Sequence, residues 1–134
     1  MDVLITLPKN LVEKILSGEK TIEMRKSSPL KLEVGHDGFF VVEKGTKNVR
    51  CWCRIGSLLE APMSHYLAEY YKTEICVGND YMMRYAPCGK WISLWFISEV
   101  RELFHVTTDD LEVHSNPQSF VYVPNLWWNN KNEI

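Results

Sequence analysis

The sequence lacks any segment able to cross a membrane or to direct secretion. Its most apolar run, residues 91–97, is seven residues long, whereas a spanning helix needs about 20 apolar residues. The first seven residues include no basic residue, and Pro8 follows too soon for the apolar core of a signal peptide. We therefore expect a cytoplasmic protein with no membrane span.

Cysteine and histidine are few, and neither occurs at the spacing of a metal site. The four cysteines, at positions 51, 53, 76 and 88, include no Cys-x-x-Cys pair, and an intracellular chain of this size does not need disulfides. Cys51 and Cys53 would share one face of a strand, but the four histidines lack ligand spacing. We expect free thiols, no metal and no other cofactor.

A strong net charge is also absent. The 15 basic and 17 acidic residues give a formal charge of -2, which argues against a protein that holds nucleic acid by a bulk positive field. The charges are unevenly distributed, since residues 1–54 carry ten basic and seven acidic residues and the remainder carries five and ten. The first part of the chain can therefore present a small basic face.

The composition is that of one folded domain without repeats or low-complexity segments. Of the 134 residues, 46% are hydrophobic and 24% are charged, and compact domains cluster at about 100 to 150 residues. We assign residues 1–112 to the domain and residues 113–134 to a C-terminal tail. Trp127 and Trp128 lie in this polar tail, where we expect them to pack on the domain or on a partner chain.

Hydrophobic periodicity predicts strands and helices that do not alternate regularly. The predicted strands cover residues 3–7, 20–26, 39–42, 49–59 and 91–100, and the predicted helices cover residues 8–17, 62–76 and 80–85. The strand at 91–100 is rich in aromatic and β-branched residues, which favours a central strand buried on both faces. Because β and α elements do not alternate, the order excludes a doubly wound sheet and predicts an α+β fold, a small mixed β-barrel with helices packed on it.

One segment, residues 18–25, carries a recognisable motif between the first helix and its following strand. It reads Gly-Glu-Lys-Thr-Ile-Glu-Met-Arg and resembles the G-x-K-x-x-E-x-R signature of the ASCH domain superfamily, which is related to the PUA domain. Gly18, Lys20, Glu23 and Arg25 match all four positions. The resemblance implies a PUA-like β-barrel with a cleft lined by the motif residues, and a role in recognising RNA or another nucleic acid.

The resemblance leaves the activity open, because the superfamily includes coactivator modules, ribonucleases and amidohydrolases of N4-acetylcytidine. Those amidohydrolases have a threonine where this chain has Glu23, and Thr21, two residues earlier, cannot simply substitute for a residue at position 23. We expect a module that binds RNA, or less readily single-stranded DNA, or a modified nucleobase. The alternative is a hydrolase acting on RNA or a nucleoside, with Lys20 and Glu23 as the candidate catalytic residues.

Strand alternation gives each motif residue a defined chemical possibility. Glu23 and Arg25 share a strand face about 7 Å apart, so Glu23 can accept from an exocyclic amine while Arg25 orients it or contacts phosphate. A surface ion pair is the other interpretation. Lys20 can reach a phosphate or base carbonyl, act as a base, or offset the helix dipole. We expect Lys20→Ala and Arg25→Ala each to weaken RNA binding and to leave thermal unfolding nearly unchanged.

Two further basic residues, Lys26 and Arg54, are predicted to extend the nucleic-acid-binding face, although each is also typical of a solvated surface position. Trp52 shares strand parity with Arg54, which permits a stacking platform beside a phosphate contact. Core packing is the more common role of such an aromatic residue and is expected for both Trp52 and Trp91. Tyr85, near a turn, is a weaker stacking candidate.

Overall fold

The computed structural model describes residues 1–124, so the prediction for Trp127 and Trp128 falls outside the described residues. In chain order the elements are β1 (Val3–Leu7), α1 (Lys9–Ser17), β2 (Ile22–Arg25), β3 (Gly38–Glu43), β4 (Val49–Pro62), α2 (His65–Ile75), α3 (Asn79–Tyr85), β5 (Trp91–Glu102) and β6 (Phe120–Tyr122). The element order agrees with the sequence prediction except for β6. No helix in this range is long and apolar enough to span a membrane.

The six described strands form one mixed sheet in the order β2-β5-β4-β3-β1-β6, curved as a half-barrel. Among them, β1 and β3 pair in parallel and the other neighbours are antiparallel. The predicted α+β fold, a small PUA-like mixed barrel with helices packed on it, is confirmed.

The prediction that β5 is the central strand is wrong. The long strand β4 lies nearer the middle of the sheet, because its residues 49–54 pair with β3 and its residues 51–62 pair with β5. Only residues 92–95 of β5 are fully buried. The remainder is partly exposed because α2 and α3 cover only the end of the sheet that contains β2.

The helix α1 packs through Val12 and Ile15 on one face of the sheet and ends where the sequence predicts. Gly18 takes the left-handed conformation, with a φ of 86°, and its amide bonds to the carbonyl of Ile15. Glycine adopts this conformation without steric strain. The turn directs the chain into β2 and brings the Lys20 amide within 3.0 Å of the Lys14 carbonyl.

Residues 113–124 belong to the segment that the sequence assigns to a tail. Within it, β6 pairs antiparallel with β1 at the sheet edge, and the Val123 amide donates to the carbonyl of Asp2. Val113 and Val123 are buried in the cluster around Leu4. The described part of the segment therefore contributes a strand and apolar contacts to the sheet.

Candidate functional site

A cleft of about 760 Å³ lies between the start of α1, strand β2, the α2–α3 junction and the segment before β6. Its charged lining side chains are Lys20, Glu23, Arg25 and Lys44. Three of the four are cations, so the cleft is positive although the chain carries a formal charge of -2. The cleft therefore attracts an anionic or electron-rich ligand.

Lys20 lies at the inner wall of the cleft with only 2% of its surface exposed. Its ammonium lies 2.8 Å from the carbonyl oxygens of Ile22 and Ile75 and 3.1 Å from Glu23 Oε1. An ammonium group has three N–H donors, and these three acceptors use all of them. Lys20 thus joins β2 to the end of α2 and supplies charge to the cleft, with no donor left over.

Glu23 connects Lys20 to Arg25, and all three side chains are buried. Glu23 Oε2 lies 3.0 Å from Arg25 Nη1, while Oε1 faces the Lys20 ammonium. We call these three residues the motif network. The pair predicted along the strand face is therefore present as part of a buried network with one excess positive charge. Each carboxylate oxygen keeps a further lone pair for a donor from a ligand.

Arg25 also holds the segment that precedes β6. Its Nη2 atom lies 2.5 Å from the Ser119 carbonyl and 3.4 Å from the Gln118 carbonyl. The Thr6 hydroxyl donates to the carbonyl of Pro117 at 2.7 Å. The Arg25 Nε atom is buried and has no acceptor among residues 1–124. An unpartnered buried donor is unfavourable, and the residue that carries it lines the cleft.

Aromatic rings complete the cleft on its α3 side. Tyr81 and Tyr85 stack with centroids 6.4 Å apart and an angle of 10° between their planes. Tyr81 is about half exposed, at 52%. Burial raises the pKa of the Tyr85 hydroxyl above its usual range, with a smaller opposing effect from Arg25. Flat rings beside cations are the combination with which proteins bind unstacked bases.

The comparisons with known proteins agree with this architecture. Neither a protein-family model nor a curated protein matches the chain. The structure resembles the crystal structure of ASCH from Zymomonas mobilis, with a TM-score of 0.77 and 16% sequence identity over 92% of this chain and 87% of that one. Two single-substitution variants of that protein give the same TM-score and identity, with 88% and 90% of their chains covered. This chain has the ASCH-domain fold.

Within the ASCH-domain fold, the other two predicted site residues lie outside the cleft. Lys26 is exposed at the end of β2, with its ammonium 4.8 Å from the centroid of the Tyr85 ring. Arg54 lies on β4, where its guanidinium donates to the His36 carbonyl at 2.6 Å and lies over Trp52. Trp52 is fully buried, as core packing requires. The structure brings together Lys20, Glu23 and Arg25 but not Arg54.

Several cleft residues could not be recognised from the sequence. Lys44 comes from the turn after β3, Tyr81 from α3, and residues 116–118 from the segment assigned to the tail. None lies near the motif in sequence, and none has a motif of its own. Trp91 was expected in the core, and this expectation is wrong, because its side chain is 63% exposed at the start of β5.

One cluster in residues 1–124 has the residue types of a metal site. Glu33, His36 and Asp37 bring potential ligand atoms within 4.8 Å of one another. The Asp37 carboxylate already accepts from the Met1 amino group at 2.7 Å and from the Glu33 amide at 2.9 Å, and it contacts His36 Nδ1 at 2.8 Å. These bonds give the cluster a structural role, which is to fix the N-terminus, and it does not line the cleft.

Proposed function

We propose that this protein binds RNA and holds one nucleobase, plain or modified, in the cleft beside the motif network. The observation that carries the proposal is the buried Arg25 Nε–H, which lacks an acceptor in residues 1–124 and belongs to a residue lining the cleft. Next to it, Glu23 offers carboxylate lone pairs. The site thus combines a donor and an acceptor, as the hydrogen-bonding edge of a base requires.

Charge and aromatic contacts support the same ligand. Glu23 can accept from an exocyclic amine such as that of cytosine, while the Arg25 Nε–H donates to a neighbouring ring nitrogen or carbonyl. Tyr81 and Tyr85 offer ring faces for stacking. Lys44 is exposed at the edge of the cleft, where a phosphate can reach it.

The motif network favours binding over hydrolysis. The amidohydrolases that the motif resembles carry a threonine at the position of Glu23, whereas here that position is a carboxylate bound between two cations. The Lys20 ammonium is occupied by three acceptors and has no donor left for a substrate. Hydrolysis by Lys20 and Glu23 is the alternative function, and it is tested by looking for reaction products in addition to binding.

The experiment is fluorescence anisotropy with end-labelled single-stranded RNA at low and moderate salt. Arg25→Lys keeps the positive charge but removes Nε–H and the guanidinium fork, so we expect affinity to fall about tenfold or more. Arg84→Lys is the matched control, because Arg84 is exposed on α3 and does not line the cleft. DNA of the same sequence measures the preference for RNA.

Two outcomes would overturn the proposal. One is a wild-type protein that binds no RNA even at low salt, and the other is an Arg25→Lys variant that binds RNA as tightly as wild type. Melting temperatures of both variants check that the fold is intact.

Gel analysis of the recovered RNA and chromatography of N4-acetylcytidine incubated with the protein would reveal cleavage or deacetylation. Either product would assign a hydrolase instead.

A further inference from the structure

We propose that Trp91, Lys26 and Lys90 form a second nucleotide-binding position beside the cleft. The inference rests on the proposed function and specifies its ligand, since it makes the ligand a strand of two or more nucleotides and not a free nucleoside. In this arrangement the base next to the one in the cleft stacks on Trp91, and its phosphate contacts the two lysines.

The exposure of Trp91 is the first observation. Trp91 opens β5, and alternation along the strand turns its indole outward while Ile92 is buried. With 63% of its surface exposed, this side chain presents a large aromatic face to solvent, and tryptophan is enriched at surfaces where proteins bind partners. Indole faces are good stacking surfaces for unpaired bases.

The surroundings of Trp91 are the second observation. A depression of about 330 Å³ lies beside the indole. It is lined by Lys26, Tyr85, Ala86, Pro87, Lys90 and Trp91. Both charged members of this set are cations. Within residues 1–124 neither ammonium has a carboxylate partner, whereas the exposed Lys47 and Lys72 each pair with an acidic side chain. Unpaired cations around an exposed aromatic ring complement a phosphate and its base.

The third observation is that the depression adjoins the cleft. Tyr85 lines both cavities. Arg25 lines the cleft, and the next residue along the chain, Lys26, lines the depression. A strand with one base in the cleft can therefore pass over Tyr85 and Lys26 and reach Trp91 with its neighbouring nucleotide.

The test compares RNA ligands of increasing length by competition against a labelled RNA. The competitors are a nucleoside 5′-monophosphate, a dinucleotide and a tetranucleotide of one sequence. With wild-type protein, we expect affinity to rise about 5- to 150-fold from the monophosphate to the tetranucleotide, the range for stacking one base. Trp91→Ala should remove most of this gain and Trp91→Phe should keep most of it. Neither change should alter affinity for the monophosphate.

Two further variants separate the charge contribution and provide the control. Lys26→Gln combined with Lys90→Gln should make tetranucleotide binding less dependent on salt, by about 0.7 in the logarithmic slope for each phosphate that the protein no longer neutralises. Phe104→Ala removes an aromatic side chain that is similarly exposed, at 70%, and lines neither cavity, so this variant should bind every competitor as wild type does. Thermal unfolding verifies that each variant is folded.

The outcomes distinguish this inference from the function on which it rests. If RNA binds in an Arg25-dependent manner but length gives no gain, or Trp91→Ala keeps the whole gain, the second position is overturned and the cleft proposal stands. If no RNA binds wild-type protein, both are overturned. If Trp91→Ala leaves RNA binding unchanged but abolishes binding of a protein, the second nucleotide position is also overturned, and the patch is assigned to a protein partner.

Discussion

Replacing Glu23 by glutamine tests whether the motif network holds the fold together through its charges. In the native protein, the two carboxylate oxygens lie 3.1 Å from the Lys20 ammonium and 3.0 Å from Arg25 Nη1, and all three side chains are buried. Glu23→Gln keeps the size of the side chain and removes its charge. Two buried cations then face a neutral amide, and the NH2 group of that amide must point at one of them.

The expected loss is a large part of the total stability. Leaving a buried charge without its partner lowers the free energy of unfolding by about 3 to 5 kcal/mol, against about 5 to 15 kcal/mol for a whole domain. In a domain of this size the melting temperature falls by about 3 °C or more per kcal/mol, so we expect a drop of about 10 °C or more for Glu23→Gln.

A double-mutant cycle with Lys20→Met measures the coupling directly. Lys20→Met leaves Glu23 paired with Arg25 but deprives the buried carbonyls of Ile22 and Ile75 of their donor, so it also destabilises. From the same contacts we expect Lys20→Ala to lower the melting temperature, whereas the sequence alone predicted nearly unchanged thermal unfolding. The free energy of unfolding of the double variant should fall by about 1 to 3 kcal/mol less than the sum of the two single decreases. The reason is that the Lys20 cation, which has no carboxylate partner in Glu23→Gln, is absent from the double variant.

Urea unfolding followed by tryptophan fluorescence gives these free energies, since Trp95 is buried close to the motif strand and pairs in register with Glu23. Glu69→Gln is the control, because Glu69 is an exposed carboxylate that, within residues 1–124, bonds only to Lys72 and Asn79, and its unfolding midpoint should match wild type. A Glu23→Gln variant with wild-type stability, or single effects that simply add, would refute the reasoning.

Three more predictions follow from packing and pKa. Gly38→Ala should lower the free energy of unfolding by about 1 to 3 kcal/mol in the same urea assay, because the added Cβ would lie 1.9 Å from the Cys53 carbonyl oxygen. Gly78→Ala is the control and should be tolerated, because a Cβ at Gly78 meets no atom within 4 Å and its φ of -73° is ordinary. At pH 8 an aromatic disulfide reagent should label the exposed Cys88 rapidly and Cys53 only on unfolding. Burial raises the pKa of the Cys53 thiol well above its usual range and keeps the thiol from ionising. Rapid labelling of Cys53 in the folded protein would contradict this prediction. Deleting the residues after His114 removes β6 and exposes the edge of β1, so the melting temperature should fall and aggregation should rise, whereas an unchanged melting curve would make the segment a tether.

The local features of the site could be predicted from the sequence because they depend on short-range geometry. Apolar spacing and the left-handed preference of glycine determine where α1 ends, and strand alternation then puts Glu23 and Arg25 on one face. The motif residues lie within eight positions of one another, so local conformation alone brings them together. The predicted fold class followed from the same periodicities and from the resemblance of residues 18–25 to the ASCH signature.

Burial and the long-range partners were decided only by the tertiary structure. Arg25 meets the carbonyls of Gln118 and Ser119, which lie more than 90 positions away along the chain, and no local pattern encodes that meeting. Trp91 is of a residue type common in cores, yet within residues 1–124 its side chain lies largely exposed at the start of β5. Arg54 lies on β4 and bonds to the His36 carbonyl instead of lining the cleft. A side chain's periodicity decides which face it occupies, but only the packing of distant elements decides whether that face is a core, a cleft or open surface.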